Sequence, residues 1–374
     1  MDELLKRGYL PTLIGGTVRD YLLTGEVGKD LDIELSHQTL SFNSKDWKEL
    51  GKDLSRYGKT SFLSYEVIKL DLGKATLEFS PPRLEIYQID SKGHSNFDAH
   101  FDFSLSLEEA VARRDFTINA IGIRFEHDKK LSLVDPLNGV EDLRLKLLRA
   151  AGENFSKDPV RILRAYRFAL KFGFEFSEDL KEKMKASHPE EVTHSYFWSE
   201  MQKSGEPLLF LEKMIELKKL HPPMRLPVED NFQGKDIQKL LFESSSQEGW
   251  LIALEWGGYS SELWCKFFAL SSETCVRLIR WVKNSKKFSQ VMPEKFHGEF
   301  EEVRESEDFL SLFDWYFSTK QLMQKNPGMP LLKMIKEFLP EWVYLFQFEA
   351  PKDVKHIDPP FRAKYQVWNL CQRL

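Results

Sequence analysis

Two aspartates stand two positions apart in the stretch Asp30-Leu31-Asp32-Ile33-Glu34-Leu35. The alternation reads as a strand, so both carboxylates project from one side, roughly 7 Å apart along the backbone. Paired carboxylates on one rigid edge suit a hard divalent cation such as Mg²⁺, which takes oxygen ligands and leaves positions open for phosphate. Upstream, Gly15-Gly16-Thr17-Val18-Arg19-Asp20 enters a short apolar helix through a glycine pair. Backbone N–H groups there can approach an anion closely, and the helix N-terminus adds its dipole. A phosphate cradle beside metal-binding carboxylates suits phosphoryl or nucleotidyl transfer. Either feature alone is commonly a plain turn or a solvated strand end; their combination carries the inference.

Other residues could join this chemistry. In Arg113-Arg114-Asp115-Phe116-Thr117-Ile118-Asn119-Ala120, two arginines offer bidentate donors for phosphate or carboxylate. Asp115 can orient one of them, and Asn119 can reach a ribose hydroxyl or a backbone group; the competing reading is a helix start with Asp115 as its cap. Downstream, Asp158-Pro159 opens a helix in which Arg161, Arg164 and Arg167 share one side. Such a row of cations calls for something anionic between them: a triphosphate, an RNA backbone or a buried carboxylate network. Asp158 before Pro159 also fits a plain N-cap with proline at the first helical position. Glu78, on a strand expected beside the paired aspartates, is a candidate third carboxylate or a solvated strand residue. Arg277, Arg280, Lys283 and Lys287 form a helical stripe that either tracks RNA phosphates or is a solvated face. His94 and His100 have no second pair of ligands with which to hold zinc.

The elements that position these groups change character along the chain. Up to about residue 150, short strands (Thr12–Ile14, Leu31–Leu35, Ser64–Leu70, Ala75–Phe79, Gly122–Phe125) alternate with helical stretches at Val18–Leu23 and Ser106–Ala112, which is the pattern of a small α/β domain on a mixed sheet. Arg83 to Ser104 has little periodicity and reads as a long loop. Asp135–Leu143 reads as a turn leading into a helix, braced by Glu141 and Asp142. From Ser156 onward the pattern is helical, and a helix beginning at Glu206-Pro207 runs through Leu220. His221 to Pro227 reads as a linker. The expected organisation is a catalytic domain at 1–150, helices at 151–222 and further helices at 223–374.

Composition narrows the class. The chain of 374 residues is 42% hydrophobic and 30% charged, and its 29 phenylalanines and 9 tryptophans call for aromatic-rich helical packing. A net charge of −5 argues against binding nucleic acid with the whole surface but is compatible with a local basic groove. Cys265, Cys275 and Cys371 have no metal spacing and are expected to be reduced thiols of a cytoplasmic protein. No apolar run reaches membrane-spanning length, and the first residues lack a signal-peptide core.

Taken together, Gly15–Asp20 with Asp30-x-Asp32, Arg113–Ala120, Asp135–Leu143 and Asp158–Arg164 resemble class II tRNA nucleotidyltransferases, the CCA-adding enzymes, and their bacterial poly(A) polymerase relatives. The resemblance covers about residues 11–176 and includes Ser80–Glu85, followed by Gly93-His94 and Phe97. It implies an α+β fold, a nucleotidyltransferase head with a small mixed sheet followed by an all-helical neck, body and tail. It also implies that Asp30 and Asp32 bind two Mg²⁺ ions, that Gly15, Gly16 and Arg19 hold a triphosphate, and that Arg114, Asp115 and Asn119 surround sugar and phosphates. Asp158 and Arg161 would be an amino-acid template for the incoming base, with Arg164 and Arg167 completing the pocket. The loop at 84–104 would be a mobile element that switches the site from C to A. The implied partners are ATP, CTP and a tRNA 3′ end, with no membrane and no protein partner. Three departures accompany this. Lys157 replaces the family's Glu before the template Asp, the neck motif retains only Glu200, and the C-terminal part lacks a His-Asp phosphohydrolase signature. The implied activity is CCA addition; the alternatives are A-only, C-only or poly(A) addition, or a catalytically silent RNA-binding relative.

Overall fold

The computed structural model describes the chain except residues 38, 88–96, 128–129, 222–223, 225–246, 259–260, 292, 326–334, 336–338, 347–348, 351 and 373–374. The chain divides into two compact units, Met1–Arg225 and Leu226–Leu374.

The first unit is built on a seven-stranded mixed sheet. Its strands are β1 (Tyr9–Ile14), β2 (Asp30–His37), β3 (Lys59–Leu63), β4 (Val67–Asp71), β5 (Thr76–Ser80), β8 (Gly122–Phe125) and β9 (Leu131–Val134), ordered β3-β4-β5-β2-β1-β8-β9. Only β2 and β5 run parallel; the other neighbours are antiparallel. Strand alternation sorts the chemistry. Ile33 and Leu35 of β2, Ile68 and Leu70 of β4 and Phe79 of β5 bury against Trp47, Leu50 and Leu54 of α3 (Ser44–Leu54), with Leu4 of α1 (Asp2–Lys6). Asp30, Asp32 and Glu34 alternate with these residues and therefore project from the opposite face.

A two-stranded hairpin, β6 (Arg83–Ile86) with β7 (Asp98–Phe101), occupies part of the stretch read as a long loop. The correction has a simple cause: four-residue strands carry too few alternations to register as periodicity. Of the switching element expected at 84–104, residues 88–96 lie outside the described residues. The edge strands β3 and β9 also escaped the sequence reading: β3 is almost wholly exposed, and β9 is four residues long with its leucines on the exposed side.

Helices complete the unit. α2 (Gly16–Thr24) follows β1 directly and ends on Gly25 in the left-handed region. α4 (Leu107–Val111) starts from a Ser106/Glu109 capping box. A single 3₁₀ turn at Thr117–Asn119 and α5 (Gly139–Arg144) follow, the latter anchored by Asp135, which accepts from the N–H groups of Gly139 and Val140. Then come α6 (Val160–Phe172), α7 (Glu178–Lys185), α8 (His194–Lys203) and α9 (Pro207–Leu220).

The second unit, where described, is helical: α10 (Gln247–Trp256), α11 (Ser261–Phe267), α12 (Ser272–Phe288), α13 (Phe300–Val303), α14 (Glu307–Lys325) and α15 (Arg362–Cys371). Three tryptophans of its aromatic core have their indole N–H groups paired, while that of the buried Trp264 has no partner. The Trp281 indole donates to Thr319 Oγ1, Trp315 to Ser285 Oγ and Trp342 to the Phe288 carbonyl. Cys265 and Cys275 are joined as a disulfide, with Cα atoms 6.0 Å apart, and Cys371 is a buried free thiol. The expectation of three reduced thiols is corrected accordingly, since the turn between α11 and α12 brings together two residues whose spacing carried no sign of pairing.

Candidate active site

The site lies where β1 ends and β2 begins. Gly15 adopts φ +98°, a conformation L side chains rarely take. A Cβ there would sit 2.9 Å from Arg114 Nη1 and 3.5 Å from Asp32 Oδ2, so this glycine lets backbone, guanidinium and carboxylate converge. Gly15 N–H donates to the Ile121 carbonyl at 3.3 Å, while the first N–H groups of α2, from Gly16 on, have no helical acceptor. Thr17 Oγ1 donates to the Asp30 carbonyl at 2.8 Å and ties the helix start to the carboxylate strand.

Asp32 keeps a face open to solvent, yet atoms of β1 and β5 crowd it. That burial raises its carboxyl above the usual range, Glu78 and Asp30 push it further, and Arg114 and Arg113 pull it back. Glu78 lies directly opposite Asp32 in the β2–β5 register, on the same face, and pairs with Lys69 Nζ at 3.2 Å. Arg114 Nη1 lies against the Gly15 backbone near Asp32, and its Nε is buried with no hydrogen bond. Burial, and Arg113 next to it, lower its hold on its proton. Arg113 reaches Glu34, which is 3% exposed, at 3.4 Å. Among the described residues, no three His, Cys, Asp or Glu side chains form a cluster able to hold a metal ion.

The other residues of the set are more deeply engaged. Arg19 is buried, donates through Nη1 to Asn119 Oδ1 and through Nε to Asp20, and lies 4.8 Å and 5.0 Å from the ring centroids of Phe168 and Phe172. Asn119 in turn donates to Asp115 Oδ1 at 2.7 Å. Asp115 also accepts from the Phe116 N–H at 2.9 Å and from Arg164 Nε at 2.7 Å. Burial works against its charge, but Arg164, Asn119 and Arg161 outweigh it and hold the carboxyl at about 2. Arg167 Nε meets Glu200 Oε2 at 2.5 Å. The arginine row of α6 is thus interleaved with carboxylates, and Asp115 and Glu200 supply the anions between the cations.

Asp158 and Arg161 face each other at the start of α6, with Arg161 Nε 3.6 Å from Asp158 Oδ2. Asp158 Oδ1 also accepts from the Val160 N–H, so it caps the helix while facing the site. Arg161 has further partners that the sequence reading missed. Its Nη2 donates to the Arg113 carbonyl at 2.7 Å and lies 3.5 Å from both Glu85 Oε2 and the Tyr87 hydroxyl. Glu85 sits on β6, two residues from Arg83, whose Nη2 it meets at 3.0 Å. The Arg-x-Glu pattern was the available signal for that strand. Lys157 is exposed.

In the second unit, α12 carries Arg277, Arg280, Lys283 and Lys287, as its periodicity required. Arg277 and Arg280 line a groove of about 530 Å³ together with Val276 of α12 and Phe317 of α14, whereas Lys287 is paired with Asp308 at 2.6 Å.

Residues 12–149 match the family of the poly A polymerase head domain. A multifunctional CCA protein from Laribacter hongkongensis is 35% identical over 196 residues, 51% of this chain and 44% of that protein. A CCA-adding enzyme from Buchnera aphidicola is 33% identical over 204 residues, 52% of this chain and 45% of that protein. The match thus spans less than half the length of these curated relatives. Among solved structures, the Thermotoga maritima CCA-adding enzyme complexed with tRNA superposes with a TM-score of 0.63 at 19% identity, over 99% of this chain and 88% of that one. An apo CCA-adding enzyme gives a TM-score of 0.65 at 20% identity, over 98% and 89%. No helix among the described residues is long and apolar enough to cross a membrane. Residues 12–149 thus resemble the poly A polymerase head domain, and the chain as a whole has the fold of the solved CCA-adding enzymes.

Proposed function

We propose that the protein is a nucleotidyltransferase that adds CMP and AMP, from CTP and ATP, to the 3′ end of tRNA. The observation that carries this is the convergence at Gly15: the part-buried guanidinium of Arg114 beside the carboxylate of Asp32, at a helix start that no side chain caps. A part-buried arginine with donors to spare and a neighbouring carboxylate form a place for an anion and a cation together.

The donor set fits divalent metal. Asp30 and Asp32 supply hard oxygen ligands on one edge, and the crowding that penalises the Asp32 charge is relieved by a cation. Two Mg²⁺ ions held there would activate the acceptor hydroxyl and neutralise the triphosphate. The protein's own groups do the rest. The first N–H groups of α2, from Gly16, and the Arg114 guanidinium hold phosphate oxygens. Arg19, Asn119, Asp115 and Arg164 form a buried chain that fixes α2, the 3₁₀ turn and α6 relative to one another, so the cradle keeps its shape when the anion arrives. Asp158 and Arg161 read the base edge, with one acceptor and one bidentate donor. Arg167, tied to Glu200, anchors α6 to α8, and Glu78 serves as the third carboxylate. In the second unit, Arg277, Arg280, Lys283 and Lys287 contact the RNA backbone, with the Arg277–Arg280 groove as its centre.

Incubating the protein with a tRNA lacking its CCA end and with CTP alone, ATP alone or both tests the reading. Two C residues from CTP, completed by one A when ATP is also present, support it. Long A tails or A-only products move the chain to the poly(A) or A-adding branch, and no incorporation under any condition removes the enzymatic reading.

A further inference from the structure

The register of the sheet places a second functional side beside Asp32. Asp32 pairs with Glu78, Glu78 with Lys69 and Lys69 with Ser61, a straight row across β2, β5, β4 and β3 on the charged face. The parallel row runs from Asp30 through Thr76 and Asp71 to Lys59. Ser61, Lys59 and Asp71 are exposed and Lys69 is half-buried, while α3 packs on the other face, where Phe62 and Ile68 point toward Gly51. Asp32 is therefore flanked on its β1 side by the anion-binding groups Gly15 and Arg114 and on its β5 side by Glu78 and Lys69.

In-line transfer of a nucleotidyl group places the attacking oxygen and the departing pyrophosphate on opposite sides of the phosphorus. With the triphosphate cradle on the β1 side, the acceptor must approach over β5 and β4. We propose that Lys69, with Lys59 beyond it, binds the backbone phosphate next to the 3′-terminal hydroxyl of the RNA acceptor, an inference that rests on the nucleotidyl-transfer reading. Lys69 is suited to exchange partners. Its ammonium lies 3.2 Å from Glu78, and a Glu78 carboxylate that turned toward cations held by Asp30 and Asp32 would leave that ammonium free for the RNA. The RNA phosphate then replaces the carboxylate as its counter-ion.

The test is direct binding of a 5′-labelled tRNA minihelix lacking its CCA end to the full chain, measured against salt and with no nucleotide present, alongside binding of fluorescent CTP. Lys69→Ala is expected to weaken RNA binding several-fold and to lower the slope of log affinity against log salt by about 0.7–0.9, the value for one lost phosphate contact. CTP binding should be unchanged. The effect should persist in a Glu78→Gln background, which removes the carboxylate that Lys69→Ala would set free, and Lys69→Arg should restore most of the affinity. Lys52→Ala, on α3 away from this face, serves as the control and should bind RNA like the wild type. Unchanged RNA affinity and salt slope in Lys69→Ala would overturn the proposal, as would a loss that disappears in the Glu78→Gln background. Because binding is read without turnover, a wild type that incorporates no nucleotide counts against the catalytic reading alone.

Discussion

Asp115 is the buried anion on which three elements converge, and replacing it with Asn gives a loss that can be worked out. Its carboxylate accepts from the Phe116 N–H, from Asn119 and from Arg164. Its pKa falls from 3.8 to about 2 on folding, a preference for the ionised form of roughly 2 kcal/mol. Asp115→Asn also turns an amide group toward Arg164, so the expected cost at pH 7 is about 2–3 kcal/mol, near the lower end for breaking a buried pair. For a unit of this size that lowers the melting temperature by about 5–10 °C. The sign with pH follows from the depressed pKa. The stabilisation is fully present above pH 3.8 and is lost as pH falls through about 2, so the gap between wild type and variant should be constant from pH 7 to 5 and narrow below pH 4. Urea unfolding of both proteins at pH 7, 5, 4 and 3 reads this directly. A double-mutant cycle with Arg164→Met should return a coupling energy of more than about 1 kcal/mol. A gap below about 0.5 kcal/mol at pH 7, or one that does not change between pH 5 and 3, would refute the assignment of Asp115 as the ionised centre of the network.

Two further changes probe the site. Gly15→Ala puts a methyl group 2.9 Å from Arg114 Nη1 at φ +98°, so nucleotide affinity should fall at least tenfold while circular dichroism shows the fold retained; unchanged CTP binding would remove Gly15 from the cradle. Arg161→Ala should change which nucleotide is chosen more than it changes RNA affinity, read from competition between CTP and ATP; a drop in RNA affinity with base choice intact would make Arg161 a backbone contact.

Much of this site was legible because its residues announce themselves locally. Asp30 and Asp32 show their shared face by spacing alone, α9 begins and ends where Pro207 and Leu220 place it, and the every-third-residue arginines of α6 do share a side. What escaped depends on long-range pairing. Glu34 shares the parity of Asp30 and Asp32, but nothing local ties it to Arg113, 79 residues away. Glu85, on a hairpin strand too short to show a period, and Tyr87, just past that strand, reach Arg161 across 76 and 74 positions. Lys69 acquires its meaning only from the register that sets Glu78 beside Asp32. The arginine row could have served a triphosphate, an RNA or internal carboxylates; Asp115 and Glu200 now lie against Arg164 and Arg167, and both are distant in sequence from those arginines.

The measurement that bears most directly on the central claim is incorporation of labelled CMP and AMP into a tRNA lacking its CCA end by the wild type and by Asp32→Ala, side by side. Asp32 holds up little of the core, since it sits on the charged face of the sheet while Ile33 and Leu35 bury on the other, so the variant should melt near the wild-type temperature. The expected result is a completed CCA end from the wild type and no detectable incorporation from the folded variant. Substantial incorporation by Asp32→Ala would contradict the account, because the transfer would then be carried by groups other than the paired aspartates.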